Sequence, residues 1–194
     1  MYIFGGYVQK IKRFSNDIYE FNFLTSTWTL IQPKSDLRPY WRDFHTSSTV
    51  GDNIYIFGGR MDLGGTRFTG ESFYSNDLYS FNVFDKKWTM VKQDTSNELI
   101  NKQETENDLQ SLVRKYGPRG RRSHSSIAYK NKLIIFGGYD ENINKHFNDL
   151  YEFDTDKLEW NIIIASGETP SSRRRHSCCI ILDQMFLFGG NFKQ

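Results

Sequence analysis

The sequence predicts an all-β fold, a β-propeller built from blades of four short antiparallel strands. Three observations predict it. Double glycines, each preceded by an aliphatic residue and Phe, recur as Gly5-Gly6, Gly58-Gly59, Gly137-Gly138 and Gly189-Gly190. Tyr and Trp stand nine residues apart in three places, Tyr19/Trp28, Tyr79/Trp88 and Tyr151/Trp160, with Asn-Asp-Ile or Asn-Asp-Leu directly before each tyrosine. Arg-x-x-His pairs, Arg42/His45, Arg121/His124 and Arg173/His176, put each histidine thirteen residues before the first glycine of a pair. A period near fifty residues with such landmarks marks one four-stranded blade per repeat.

The second glycines are 53, 79 and 52 residues apart. Gly59 to Tyr79 is 7 residues longer than in the other copies, and Trp88 to His124 is 19 longer than Trp28 to His45, which accounts for all 26 extra residues of the long period. The landmarks read first as fold. Diglycine supplies positive φ and close backbone approach at the end of an inner strand. Tyr and Trp fill the wedge between blades, and the Arg-x-x-His pairs are expected to hydrogen-bond within and between blades.

Taken in order, residues 1–31 read as a partial blade that opens on an inner strand ending at Gly5-Gly6. Residues 7–18 are a variable loop with a basic rim of Lys10, Lys12 and Arg13, and Phe21, Phe23, Trp28 and Leu30 are expected to point inward from the two strands that follow. Residues 32–91 are a blade with a long, Gly-rich loop over 60–68. Residues 92–116 are an insertion rich in Asn, Gln, Glu and Lys. It reads as a surface excursion without regular structure, with a short helix near 106–115 as the alternative, because Leu109, Leu112 and Val113 share a helical face. Residues 117–163 are a further blade and 164–194 another partial one. The whole chain, 1–194, is thus expected to be a single partial propeller of three to four blades from a six-bladed ring.

Composition narrows the function. A formal charge of +2 does not suggest a nucleic-acid binder, and no direct nucleic-acid partner is expected. No apolar run approaches a membrane span, no charged leader precedes the first apolar stretch, and no membrane partner is expected. Cys178 and Cys179 are adjacent, so a bridge between them would be strained; they read as small buried residues in a reducing compartment. No CxxC, HExxH or Walker-type spacing occurs, and no nucleophile–base pairing stands out, so neither a cofactor nor catalysis is expected.

Function is therefore sought in loops, which differ between copies. After the diglycines stand Tyr7, Arg60, Tyr139 and Asn191; before the inner strands stand Asp43-Phe44, Arg122-Ser123 and Arg174-Arg175. Arginines, a serine and aromatic residues are expected to converge on one funnel, and the planar guanidinium fork suits a carboxylate. The expected ligand is a short anionic or carboxylate-ended peptide. The alternative for each arginine is a pair with a loop Asp or Glu.

The repeat resembles the kelch family. The stretches WRDFH (41–45), IYIFGGR (54–60), GRRSHS (120–125), LIIFGGYDENINKHFNDLYEF (133–153) and RRRHSCCI (173–180) are similar to those of kelch substrate receptors of cullin-2 ubiquitin ligases. The resemblance implies a non-catalytic subunit that reads C-terminal glycine degrons on protein substrates. It also implies docking on elongin BC and cullin-2 through a segment absent from this chain, and a cytoplasmic location with the nucleus as a second one. A role in meiosis with chromatin association has been proposed for such proteins. In receptors that read diglycine ends, an arginine directly after one diglycine holds the terminal carboxylate, and Arg60 matches it. A second arginine in that loop corresponds to Arg67, and a serine-aromatic pair corresponds in position to Arg122-Ser123. The mismatch in type implies a different preference for the residues before the glycine. Tyr7, Phe44, Tyr139 and Arg174 are the expected pocket wall. The other reading is a kelch scaffold, associated with actin or chromatin, that binds a folded partner without reading degrons.

Overall fold

The computed structural model describes residues 1–62, 72–93 and 106–192. The first sheet joins β1 (Tyr2–Phe4) to β4 (Ile18–Asn22) and β5 (Thr27–Ile31), with a small hairpin, β2 (Tyr7–Val8) and β3 (Arg13–Phe14), between β1 and β4. A second unit follows, with β6 (Arg42–Asp43), β7 (Thr46–Val50), β8 (Asn53–Phe57), β9 (Arg60–Asp62), β10 (Ser72–Tyr74), β11 (Leu78–Asn82) and β12 (Lys87–Lys92). Its main sheet runs β7-β8-β11-β12, and β6-β9-β10 form a minor one. Helix α1 (Glu106–Tyr116) precedes the four-stranded sheet of β13 (Ser125–Tyr129), β14 (Lys132–Asp140), β15 (Lys145–Asp154) and β16 (Glu159–Ile162). The hairpin of β17 (Ser177–Ile181) and β18 (Gln184–Phe188) comes last. Every pairing is antiparallel. The chain is a partial β-propeller, as the repeat predicts.

Strand β8 shows why the blades read as they do. Alternate side chains leave a strand on opposite faces, and here both faces are covered. Ile54 and Ile56 join Phe4, Ile18, Tyr79, Phe81 and Trp88 in one core. Tyr55 and Phe57 join Leu133, Ile135, Tyr151, Phe153 and Trp160 in the other. A continuous apolar run is thus a central strand buried from both sides. The turn after each third strand is closed by an Asx acceptor three residues beyond the repeat tyrosine. Asn22, Asn82 and Asp154 each accept two backbone N–H bonds from the residues that follow.

One joint recurs between neighbouring sheets. The N–H groups of Gly6, Gly59 and Gly138 donate to the carbonyls of Arg42, Arg121 and Arg173 of the next unit at 2.8, 2.9 and 2.8 Å. Gly58 has φ +65, and a Cβ there would lie 2.9 Å from the Arg121 carbonyl oxygen. Gly59 has φ +101, and its Cβ would lie 2.7 Å from the Asp43 carbonyl oxygen, so no side chain fits at either position. The arginine side chain then turns into its own unit. Arg42 Nη1 and Nη2 donate to Asp77, Nη1 also donates to Gly58 O, and Nε donates to Tyr40 O. Arg121 repeats the pattern on Asp149, Gly137 O and Arg119 O. The histidines reach backward. His124 Nε2 meets Thr46 Oγ1, and His176 Nε2 meets Ser125 Oγ, both at 2.8 Å.

Three expectations need correction. Residues 106–116 of the insertion are helical, not irregular; residues 94–105 lie outside the described residues. Val113 is buried in the core that holds Trp160, Leu109 packs against it, and Gln110 bonds to Ile162 N and Asn161 along the edge of β16. An apolar stripe with a core to cover stabilises a helix that propensity alone would not. In the first sheet, Phe23, Trp28 and Leu30 are 71%, 50% and 43% exposed rather than inward-packed. Trp88 and Trp160 are buried because Phe4 and Phe57 of the preceding sheets stack on them at 5.0 Å, and no described sheet stands in that position for Trp28. Cys178 is half-buried and Cys179 exposed, both free, because the β17–β18 hairpin has an uncovered face among the described residues.

Asp77→Ala is expected to destabilise the chain by about 3–5 kcal/mol, because it strands the fully buried Arg42 guanidinium; denaturant melts of the two proteins check it. Acid should act through the histidines. Desolvation, with Arg42 second, pushes His45 down to about 3, and burial also lowers His124 and His176 below 6.5. The unfolded chain then binds protons that the folded one refuses, so stability is full above pH 6.5, falls as pH drops below it, and keeps falling to about pH 3. Thermal melts across that range should show the decline.

Candidate ligand-binding face of the propeller

Beyond the first three diglycines the chain runs on into a short outer hairpin. Its register sets Tyr7 opposite Phe14, Arg60 opposite Tyr74, and Tyr139 opposite His146. The segments before the inner strands lie alongside. Asp43 pairs with Arg60, and antiparallel bridges join Arg122 to Tyr139 and Arg174 to Asn191. The next residues, Phe44, Ser123 and Arg175, have φ of +54, +55 and +58. Ser123 N–H donates to Phe44 O and Arg175 N–H to Ser123 O, both at 2.9 Å, forming a belt across three units.

On this frame arginines and rings interleave. The Arg60 guanidinium lies between Phe14 and Phe44, at 5.2 and 5.1 Å. Arg122 lies 5.8, 5.4 and 5.5 Å from Phe44, Tyr74 and Tyr139. Arg174 sits over Tyr139 at 4.3 Å, and Arg175 is 5.8 Å from Phe44. Stacking of this kind holds a guanidinium plane in place while leaving its edge for hydrogen bonds.

Two carboxylates meet these cations. Asp43, which is buried, accepts from Arg60 Nε at 3.0 Å and Nη2 at 2.6 Å. Glu141, in the turn between β14 and β15, accepts from Arg122 Nη2 at 3.0 Å and from the Tyr74 hydroxyl. The Tyr74 hydrogen bond, then Arg122, Arg60 and Arg174, hold the Glu141 carboxyl below its usual range. Burial first, and then the Glu141 bond, push the Tyr74 phenol up. Arg174 Nε is buried with no hydrogen-bond partner among the described residues.

Of the residues expected from sequence, Arg60, Phe44, Arg122, Tyr139 and Arg174 come together here. Tyr7 reaches the cluster through Phe14, its ring 5.5 Å away. Ser123 contributes backbone to the belt. Arg67 lies outside the described residues. Arg60 and Arg122 both follow the pairing alternative, engaged by Asp43 and Glu141. Sequence reasoning missed Phe14, Tyr74 and Glu141. The first two carried a signal: each stands three residues before a repeat aspartate, Asp17 or Asp77, and that is the cross-strand position of the residue after the diglycine.

The family model of the KLHDC2/KLHL20/DRC7 Kelch-repeats domain matches residues 1–105 and 99–190. The chain belongs to the kelch-repeat family. It is 38% identical to human Kelch domain-containing protein 3 over 98% of this chain and 44% of that protein, and equally so to the mouse protein of that name. Human Host cell factor 1 is 30% identical over 97% of this chain and 9% of its own length. The chain therefore spans under half the length of the curated relatives it matches. Family and relatives point to a kelch protein-interaction module. Among the described residues no group of three or more His, Cys, Asp or Glu could hold a metal ion, and no helix is long and apolar enough to cross a membrane.

Arg60→Lys removes both the two-point bond to Asp43 and the stack between Phe14 and Phe44. It is expected to cost about 1.5–3 kcal/mol in denaturant melts, although charge is conserved.

Proposed function

We propose that this face reads the free C-terminal carboxylate of protein substrates ending in glycine, as the recognition module of a cullin-2 ubiquitin ligase. The observation that carries the reading is a half-exposed carboxylate, that of Glu141, held by Arg122 Nη2 at 3.0 Å and by the Tyr74 hydroxyl on a face where Arg60 and Arg174 also stand. Among the described residues four guanidiniums here, Arg60, Arg122, Arg174 and Arg175, stand with two carboxylates, Asp43 and Glu141, so positive charge is in surplus within the cluster. A charge-assisted bond to a peptide carboxylate uses that surplus. The aromatic rings between the arginines supply walls for the last side chains of the peptide. The mismatch at Arg122-Ser123 favours a preceding-residue preference different from that of diglycine readers. Docking on elongin BC and cullin-2 belongs to a segment outside this chain, and the compartment is the cytoplasm with the nucleus second.

A second reading has its own support. The full engagement of Arg60 by Asp43 favours a scaffold whose arginines hold the loops rather than a ligand. Such a scaffold would bind internal epitopes of a folded partner.

Fluorescence-polarisation titration of the 194-residue chain with peptides ending in glycine separates the two. Amidating the peptide C-terminus should weaken binding by roughly ten- to a hundredfold, the worth of a hydrogen bond to a charged group. Arg122→Ala should remove most of the difference between acid and amide. Equal affinity for the two peptides would reject the carboxylate reading.

A further inference from the structure

Glu141 occupies the spot that the proposed reading needs for a ligand. We infer that Tyr74 and Arg122 form a carboxylate seat that Glu141 fills in the absence of ligand, and that a peptide carboxylate binds by displacing it. The inference rests on the carboxylate reading above and names the residue that sets its affinity.

The donors are fixed and the acceptor is not. Tyr74 is 2% exposed and the Arg122 side chain 11%, whereas the Glu141 side chain is 55% exposed. Tyr74 lies on β10, locked in register with Arg60, and Arg122 is locked by its two backbone bonds to Tyr139, both 3.0 Å. Both donors converge on the same oxygen, Oε2 of Glu141. When Glu141 leaves, both donors give up a charge-assisted bond, so the seat is best kept filled. A side chain that enters from solvent can leave again without uncovering apolar surface.

The turn that carries Glu141 holds itself. Asn142 N–H donates to Asp140 Oδ1, Asn144 N–H donates to Glu141 O, and the Tyr139 hydroxyl bonds to Asn144. None of these bonds uses the Glu141 side chain. The repeat does not fix an acid there, since Gln9 stands at the same distance after the first diglycine and Asp62 after the second. Among the described residues the carboxylate of Glu141 is engaged by Tyr74 and Arg122 alone, and its own turn does not use it. The lowered pKa of Glu141 agrees, since Tyr74 first, and then Arg122, Arg60 and Arg174, favour its charged form.

Displacement makes a prediction opposite to that of a simple contact. Glu141→Gln keeps the size of the side chain and removes its charge, so the seat should release it more easily. A fluorescein-labelled peptide ending in glycine should bind Glu141→Gln about three- to tenfold more tightly than wild type, and the amidated peptide should bind the two proteins alike. In parallel, the 13C resonance of the Glu141 side-chain carboxyl, assigned by its absence from Glu141→Gln, should move toward that of an exposed glutamate as the peptide is added. Unchanged or weaker binding of the acid peptide to Glu141→Gln, with the amidation loss retained in wild type, would overturn displacement and leave the carboxylate reading standing. If amidation has no effect on either protein and the Glu141 resonance stays put, both fail together. Tightening of acid and amide peptides alike would show that Glu141 repels the peptide as a whole, and would also overturn displacement.

Discussion

The joint between neighbouring sheets is the constraint on which the rest depends. A glycine N–H of one unit meets an arginine carbonyl of the next, and that arginine's side chain is spent on an aspartate and a glycine carbonyl of its own unit. Nothing larger than glycine fits, because the Cβ would fall within 3 Å of a carbonyl oxygen at Gly58 and Gly59 alike. A fully buried guanidinium is tolerable only with complete pairing, and Arg42 and Arg121 have it. The joint sets the spacing between sheets, and that spacing lets the inner strands bond through Thr46 and His124 and through Ser125 and His176.

The same joint delivers the candidate site. Since the diglycine is pinned to the next unit, the outer hairpin that follows it must rise beside the segment preceding the inner strand. Three successive hairpins and three successive segments therefore meet on one face, and the belt through Phe44, Ser123 and Arg175 ties them. The fold leaves residue type free at these places. It is filled with arginine and aromatic residues in alternation, which stack and fix one another. A binding face thus emerges where the architecture makes few demands on side chains.

Not every arginine near the channel does the same thing. Arg42 and Arg121 are structural, sealed by Asp77 and Asp149. Arg60 is intermediate, paired to Asp43 yet partly exposed. Arg122 faces a carboxylate that is itself half in solvent, and Arg174 lies over Tyr139. In the second and third units the sealed arginine is the one at the repeat position, Arg42 or Arg121, and the partly open one, Arg60 or Arg122, stands where residue type varies.

The sequence by itself determined the propeller and the landmarks it is built from. These rest on local spacing: glycines that need positive φ, a nine-residue hairpin between Tyr and Trp, and an apolar run long enough for one buried strand. It also brought Arg60, Phe44, Arg122, Tyr139 and Arg174 to one funnel, because each holds a fixed offset from a landmark. Only the tertiary structure decided which cation meets which anion. Arg60 and Asp43 meet inside one unit, but Tyr74 and Glu141 are 67 residues apart, on different blades. No offset within one repeat encodes a contact between two. The helix at Glu106–Tyr116 was decided the same way, since its weak apolar stripe becomes a helix against the core around Trp160. So was the exposure of Trp28, which carries the same local signal as the buried Trp88 and Trp160 but has no described sheet stacked upon it. Packing is a property of neighbours in space, and the repeat specifies each unit without naming what lies beside it.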